Sequence, residues 1–114
     1  MMNTSISTFR NQYLDGTVTE MTSQPTPMQG NKLVMALTII NISGASASFN
    51  FRAQGSYDGL AWINLGAGKD ETAFGYDSEA IGSVDVSFVR VRVKNTAGTS
   101  PKAIFDVSLA MSQQ

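Results

Sequence analysis

Apolar and polar side chains alternate strictly near the middle of the chain, a pattern that predicts a β-strand with one buried face. The apolar positions are Phe49, Phe51, Ala53 and Gly55, and the polar positions are Asn50, Arg52, Gln54 and Ser56. Asp58-Gly59 follows, and because both residues accept the backbone angles of a tight turn, we expect a hairpin. Residues 60–65 indicate the return strand, in which Trp62, the single tryptophan, is predicted to cover the hairpin.

The stretch from Lys32 to Ile42 differs from this pattern because both of its faces are apolar. Leu33, Met35, Leu37 and Ile39 share one face, and Val34, Ala36, Ile40 and Ile42 share the other. β-Branched side chains and the turn residues at 41–44 favour a strand over a helix. A strand with two apolar faces is covered on both sides. We therefore expect a loop, the N-terminal segment or another subunit to cover the second face.

The last third of the chain shows alternation whose phase changes. Val84, Val86 and Phe88 share one parity and Val89, Val91 and Val93 the other, which predicts a β-bulge at Phe88-Val89. Residues 66–71 and 77–83 are predicted as loops, residues 95–101 as a turn, and residues 105–111 as the closing strand. About seven short strands without a helical period predict an all-β fold, a single antiparallel β-sandwich of jelly-roll or immunoglobulin-like size.

The N-terminal residues 1–31 are polar and contain few large apolar side chains, so we predict an extended N-terminal arm before a β-sandwich domain at 32–114. Residues 17–22 have the β-branched content of a short strand. Pro25 and Pro27 exclude helix and central strand from the connector. We expect a neighbouring subunit, or the chain's own sandwich, to hold this arm. The predicted assembly interface comprises Phe9, Tyr13, Leu14, Val34, Ala36, Ile40 and Ile42.

The absence of two residue types, Cys and His, excludes several classes of enzyme and metal-binding protein. The 114 residues include no Cys and no His, so there is no thiol nucleophile, disulfide or imidazole base. The acidic residues have no EF-hand spacing and are predicted to serve turns. We therefore predict no enzyme, no catalytic residue, no cofactor and no metal site. A net charge of -1 predicts no specific nucleic acid partner, and the longest apolar run is shorter than the about 20 residues that span a membrane.

Charge and the N-terminus together suggest where the protein works. Charged residues make up 15% of the chain, below the roughly 25% of an average soluble domain, which is common in extracellular and virion-type β-proteins. Residues 1–5 have neither a basic start nor an apolar core, so we expect no secretory signal. A virion protein made in the host cytoplasm accounts for both observations. An intracellular assembly or a chain trimmed of its signal would also account for them.

Basic residues occupy alternate positions on two predicted strands, with Arg52 on one and Arg90, Arg92 and Lys94 on the other. If these strands share a sheet, the four side chains form a patch for an acidic partner or a phosphate group. Otherwise they keep a sheet face soluble. Aromatic residues near the predicted turn would suit stacking on a sugar or covering the core. The predicted ligand or partner patch is therefore Tyr57, Trp62, Arg52, Arg90, Arg92 and Lys94.

Residues 53–62, followed by 87–93 and 103–111, resemble the C-terminal half of discoidin or coagulation-factor C-type domains. In that family a Ser-x-Asp-Gly-x-x-Trp hairpin, here Ser56 to Trp62, precedes an aromatic-Val-Arg strand and a closing strand. The same hairpin is similar to one in small phage structural proteins of the decoration type. The resemblance covers about half of the chain and implies a discoidin-like β-sandwich and, as an alternative function, a carbohydrate-binding module.

These inferences lead to one functional prediction, a structural virion protein of a bacteriophage. It is expected to be a capsid decoration or cement protein or a tail-associated β-sandwich that acts by protein-protein assembly. The expected partners are further copies of the chain, a major capsid or tail protein, or both. A glycan is the alternative partner, and the expected location is the virion.

Overall fold

The computed structural model describes residues 3–16 and 20–113, which form seven β-strands and no helix. The strands are β1 (Asn3–Asp15), β2 (Glu20–Thr22), β3 (Thr26–Pro27), β4 (Lys32–Ser56), β5 (Ile63–Glu71), β6 (Gly75–Ile81) and β7 (Phe88–Ser112). All of their pairings are antiparallel. The predicted all-β, antiparallel fold class is therefore confirmed.

Two strands, β4 and β7, are each 25 residues long. They pair with each other from Lys32 opposite Ser112 to Ser56 opposite Phe88. A straight strand of that length would span about 80 Å at about 3.3 Å per residue, whereas the longest dimension of the molecule is 43 Å. Both strands therefore bend back near their middle, and the paired ribbon folds into two layers.

The bends lie near residues 43–48 and 96–101, where glycines hold backbone angles that other residues rarely adopt. Gly44 and Gly98 have φ angles of 109° and 115°, and the register of the ribbon shifts repeatedly over residues 43–49. The two bends also touch, because a Cβ atom on Gly98 would lie 2.5 Å from the Cα of Ala47. Glycine alone combines this backbone conformation with so close an approach.

The bent ribbon supplies two central strands to each of two sheets. The first sheet has the order β6, residues 32–43 of β4, residues 102–112 of β7, and β1. The second sheet has the order β5, residues 48–56 of β4, residues 88–95 of β7, and then β2 and β3 along one edge. Two packed antiparallel layers connected in this way form a jelly-roll sandwich.

Alternate residues of both sheets point between the layers and form one core. On β4 and β7 the large buried side chains are Leu33, Met35, Leu37, Ile39, Phe49, Phe51, Val89, Val91, Val93, Phe105, Val107, Leu109 and Met111. The Phe105 ring of the first sheet meets the Phe51 ring of the second edge to face, with 5.0 Å between centroids. Phe9 meets Phe105 in the same way at 5.5 Å. Since such pairs add to the energy of burial, these three rings help to hold the layers together.

The N-terminal segment is a strand of the sandwich, which corrects the predicted extended arm. β1 pairs with β7 from Asn3 opposite Ser112 to Asp15 opposite Lys102. Phe9 and Leu14 are buried in the core, so residue 31 does not end a separate arm. The polar composition was misleading because an edge strand needs few apolar residues to fill its share of a core. Of the short strand predicted at 17–22, Glu20–Thr22 forms β2, and residues 17–19 lie outside the described residues.

The predicted hairpin around Asp58 has a longer loop than expected. Gly55 pairs with Ile63, so residues 57–62 form the connection in place of a tight turn. The Asp58 carboxylate accepts hydrogen bonds from the backbone N–H groups of Leu60 and Ala61 at 2.8 and 3.0 Å. Asp58 therefore organises a wider turn from its side chain.

Two further local predictions were wrong. The predicted bulge at Phe88-Val89 is absent, because both residues pair with β4 in unbroken register while Val84 reaches the core from a loop. The predicted loops at 66–71 and 77–83 contain most of β5 and β6. Glycines at positive φ inside β5, Gly66 and Gly68, gave the sequence the appearance of a loop.

Candidate functional site

The edge strands β5 and β6 are joined across the gap between the two sheets by charged side chains, here called the carboxylate seam (Lys69, Glu71, Asp77 and Glu79). Glu79 Oε2 accepts hydrogen bonds from the backbone N–H groups of Ala67 and Gly68 at 2.9 and 3.0 Å. Successive N–H groups that converge on one carboxylate form a small anion-binding nest. Glu79 on β6 therefore closes this side of the sandwich.

Two carboxyl groups of the seam, those of Glu71 and Asp77, have pKa values that are shifted in opposite directions. Burial, and next the hydrogen bond with Asp77, raises the pKa of Glu71 from 4.5 to about 7. The hydrogen bond with Glu71, and next that from the Ser78 N–H, lowers the pKa of Asp77. Lys69 Nζ lies 3.7 Å from Asp77 Oδ1 and favours its ionised form. These opposite shifts favour a protonated Glu71 that donates to an ionised Asp77, while Glu71 Oε2 is buried without a hydrogen-bond partner among the described residues.

We expect the protein to lose stability as the pH rises from about 5 to 8, and Glu71→Gln to remove much of that loss. The folded state keeps a proton on Glu71 that the unfolded state releases above pH 4.5, so stability falls until the pH passes about 7. Asp77 acts in the opposite sense, because its lowered pKa adds stability that is lost only in acid, below 3.8. Urea denaturation followed by Trp62 fluorescence at the two pH values measures the effect.

Glu20→Gln is the matched control for this experiment, because Glu20 is an exposed carboxylate on the opposite edge of the second sheet. That variant should keep the pH dependence of the wild type. A Glu71→Gln protein with an unchanged pH dependence would contradict the raised pKa of Glu71.

The outer face of the first sheet is uncharged over two complete rows of paired residues, and we call it the uncharged face. One row consists of Ser5, Ala110, Val34 and Ala80. The neighbouring row consists of Ser7, Ser108, Ala36 and Ser78. Val34 and Ala36 are exposed there. The second apolar face predicted for Lys32 to Ile42 is thus not covered by other described residues. Its one exception is Ile42, whose side chain is partly buried against the core.

Larger apolar and aromatic side chains lie around the uncharged face. Ile40 is 44% exposed, Tyr13 on β1 is 47% exposed, and Tyr76 on β6 is 88% exposed. Of the predicted assembly residues, Tyr13, Val34, Ala36 and Ile40 are therefore accessible to a partner. Phe9 and Leu14 are not, and their assignment to an interface is corrected because both fill the chain's own core.

The outer face of the second sheet brings together Arg52, Arg90, Arg92 and Lys94, and we call it the guanidinium face. Their strands do share a sheet, and Arg52 lies directly opposite Arg92. The centre of the Arg90 guanidinium lies 4.1 Å from the centroid of the Trp62 ring, in a cation–π contact. Tyr57 is exposed in the loop that leads to Trp62.

Neutral groups orient the arginines, a role that the sequence pattern did not indicate. Arg90 Nε donates to Gln54 Oε1 at 2.9 Å, and Arg92 donates from a terminal nitrogen to Asn50 Oδ1 at 2.6 Å. Arg52 donates to the backbone oxygen of Ala67. Asn50 and Gln54 have the same parity as Arg52, so the alternation alone placed them on this face.

Acidic side chains do not gather into a metal-binding group in the part of the chain that the structure describes, where no three or more of them are placed to hold an ion. Within the same residues no helix is long and apolar enough to cross a membrane.

The fold and its faces define the class of the protein as an all-β sandwich of jelly-roll type. No family model matches the sequence, and no curated protein matches it in sequence. Solved structures of infectious bursal disease virus are similar in fold. The structure of the Gx strain aligns with a TM-score of 0.59 at 6% sequence identity over 96% of this chain. The structure of the Gt strain aligns with a TM-score of 0.57 at 8% sequence identity, also over 96% of this chain.

A VP2 subviral particle of the same virus aligns with a TM-score of 0.61 at 7% identity, again over 96% of this chain. The chain spans about a third of the length of the chains that it matches, 31% to 32%. At such low identity the likeness concerns the fold alone.

Proposed function

We propose that the protein is a structural component of a virus particle and acts by protein-protein assembly. The observation that carries this proposal is the likeness of nearly the whole jelly roll, 96% of the chain, to part of the chains in a virus and in a subviral particle. Its fold class and its low charge agree with that role. Its location would then be the virion.

The uncharged face is the surface we assign to assembly. Two rows of small uncharged side chains make a flat surface with little desolvation cost, and exposed Ile40, Tyr13 and Tyr76 add apolar area around it. A monomer gains nothing from exposing this strip to water. Contact with another copy of the chain, or with a major capsid or tail protein, would bury it.

Among particle components, a bacteriophage decoration or cement protein, or a tail-associated sandwich, suits a small single sandwich. A protein of this kind adds to an existing lattice through one face and leaves the other to solvent. The guanidinium face, lying on the opposite side of the molecule, would then remain accessible.

Ala36→Arg is expected to abolish self-association or particle binding without unfolding the protein. Ala36 points outward on the uncharged face, so arginine fits into solvent in the monomer but places a charge in the interface. Such a buried charge costs several kcal/mol, and a loss of binding of about 100-fold or more is expected. Sedimentation velocity measures self-association, and cosedimentation with particles measures binding to a lattice.

Gln24→Arg adds the same charge at an exposed position of the connector between β2 and β3, and should leave assembly unchanged. Both variants should keep the wild-type thermal midpoint. If the wild-type chain remained a monomer at high concentration and bound no particle, the assembly function would be wrong.

The alternative function, a carbohydrate-binding module, has less support. Trp62 is half-buried, and the Arg90 guanidinium lies over its ring, so this indole does not offer a free platform for a sugar. A glycan array with the wild-type chain and Trp62→Ala would detect such binding.

A further inference from the structure

Charge on the guanidinium face is unevenly distributed among three rows of paired residues. Across the sheet, the first row contains, in order, Glu20 on β2, Lys94 on β7, Asn50 on β4 and Asp70 on β5. In that row acids outnumber bases. Arg52 and Arg92 form the second row, and Arg90 lies in the third row beside Gln54 and Asn64. The second and third rows contain three guanidinium groups and no carboxylate.

The arginine pair in the second row is short of acceptors. Like charges placed directly opposite each other across a strand pair are destabilising. The nearest carboxylate contact is long, with 4.0 Å from Arg92 to the exposed Glu20. In addition, the Nε–H groups of Arg52 and Arg92 are buried and have no hydrogen-bond acceptor among the described residues.

Neutral groups hold these arginines in place without cancelling their charge. The oxygens of Gln54, Asn50 and Ala67 each accept one guanidinium hydrogen bond. Gln54 is itself fixed, because its Nε2 donates to Asn64 Oδ1 at 3.0 Å. A guanidinium has five N–H donors, so terminal N–H groups remain beyond these hydrogen bonds. Oriented guanidinium groups suit oxyanions, which they bind through pairs of parallel hydrogen bonds.

We propose that Arg52, Arg90 and Arg92 form a binding site for a compact oxyanion of the phosphate or sulfate class. The site goes beyond the role in assembly and does not depend on it. A compact anion fits better than a long polyanion, because the row next to the arginine pair has Glu20 at one edge of the sheet and Asp70 at the other. The net charge of -1 also gives the chain no general attraction for a polyanion.

Titration of the whole protein with inorganic phosphate tests the site directly. Nitrogen-15 NMR spectra follow the Nε–H signals of the three arginines during the titration, and sodium chloride keeps the ionic strength constant. We expect saturable shifts confined to these signals and their neighbours. Arg52→Gln and Arg92→Gln should each weaken phosphate binding by about tenfold or more. Lys102→Gln, an exposed charge on the first sheet, should not change it.

Arg52→Lys distinguishes binding from folding, because it keeps the charge and loses the fork of donors. We expect an unchanged thermal midpoint and weaker phosphate binding. Three further titrations distinguish the possible sources of the oxyanion, with inorganic sulfate, a sulfated disaccharide and a single-stranded DNA 12-mer. Sulfate and the disaccharide should shift the same signals as phosphate. Shifts that grow linearly and match those in sodium chloride would overturn the site. Binding of the 12-mer without binding of phosphate would also overturn it.

Discussion

Phe105→Ala is expected to lower the free energy of unfolding by about 3–5 kcal/mol. Phe105 is fully buried and touches Phe9 in its own sheet and Phe51 in the opposite sheet. Alanine would leave a cavity between the layers and remove both ring contacts. Since a domain of this size is stable by roughly 5–15 kcal/mol, the variant should be folded only marginally. Urea denaturation followed by Trp62 fluorescence and far-UV circular dichroism measures the loss.

Phe74→Ala is the matched control, because the Phe74 side chain is 79% exposed in the loop between β5 and β6. Its removal should change stability by no more than about 0.5 kcal/mol. Equal effects at Phe105 and Phe74 would mean that the three-ring contact does not join the layers.

Gly98→Ala is expected to destabilise the protein by roughly 3 kcal/mol, because two separate costs add. The φ angle of 115° is strained for any residue with a Cβ. The added methyl group would also lie 2.5 Å from the Cα of Ala47 and force the two bends apart. Backbone atoms cannot yield as a flexible side chain does, so the ribbon should lose its sharp fold there. The thermal midpoint and the urea midpoint measure the change.

Two other glycines separate these costs. Gly75 has a φ of 143°, but a methyl group added there would have no atom within 4 Å, so Gly75→Ala should show conformational strain alone, of about 1 kcal/mol. Gly82 has neither restriction, and alanine there should be neutral or slightly stabilising. A Gly98→Ala protein as stable as the Gly82→Ala protein would disprove close contact between the bends.

The sequence predicted the parts of the fold that depend on local alternation. The buried faces at Phe49 to Gly55 and Phe105 to Met111 follow from a period of two, which any half-buried strand imposes on its own residues. The two apolar faces of Lys32 to Ile42 follow from the same period, although the chain itself leaves Val34, Ala36 and Ile40 exposed on the face that was expected to be covered. The alternation also placed the basic residues on the outward side of their strands. It did not show whether the two strands belong to the same sheet.

Features set by distant partners could not be predicted in this way. Gly44 and its neighbours resemble a strand end, yet β4 continues because β7 bends beside it. The polar N-terminus gave no sign that β1 pairs with residues about 100 positions later. Glu71 and Asp77, in contrast, lie close in sequence on either side of the loop between β5 and β6. Their contact was missed because both stretches were predicted as loops.

The sharing of β4 and β7 by both sheets has a consequence for biosynthesis. Lys32 and Ser112 pair at one end of the ribbon, so the first sheet cannot close until nearly all of the described chain has emerged from the ribosome. Pairings this distant in sequence make folding slow in comparison with helical domains. A nascent chain therefore exposes its apolar strands throughout translation, when chaperones have the opportunity to bind them.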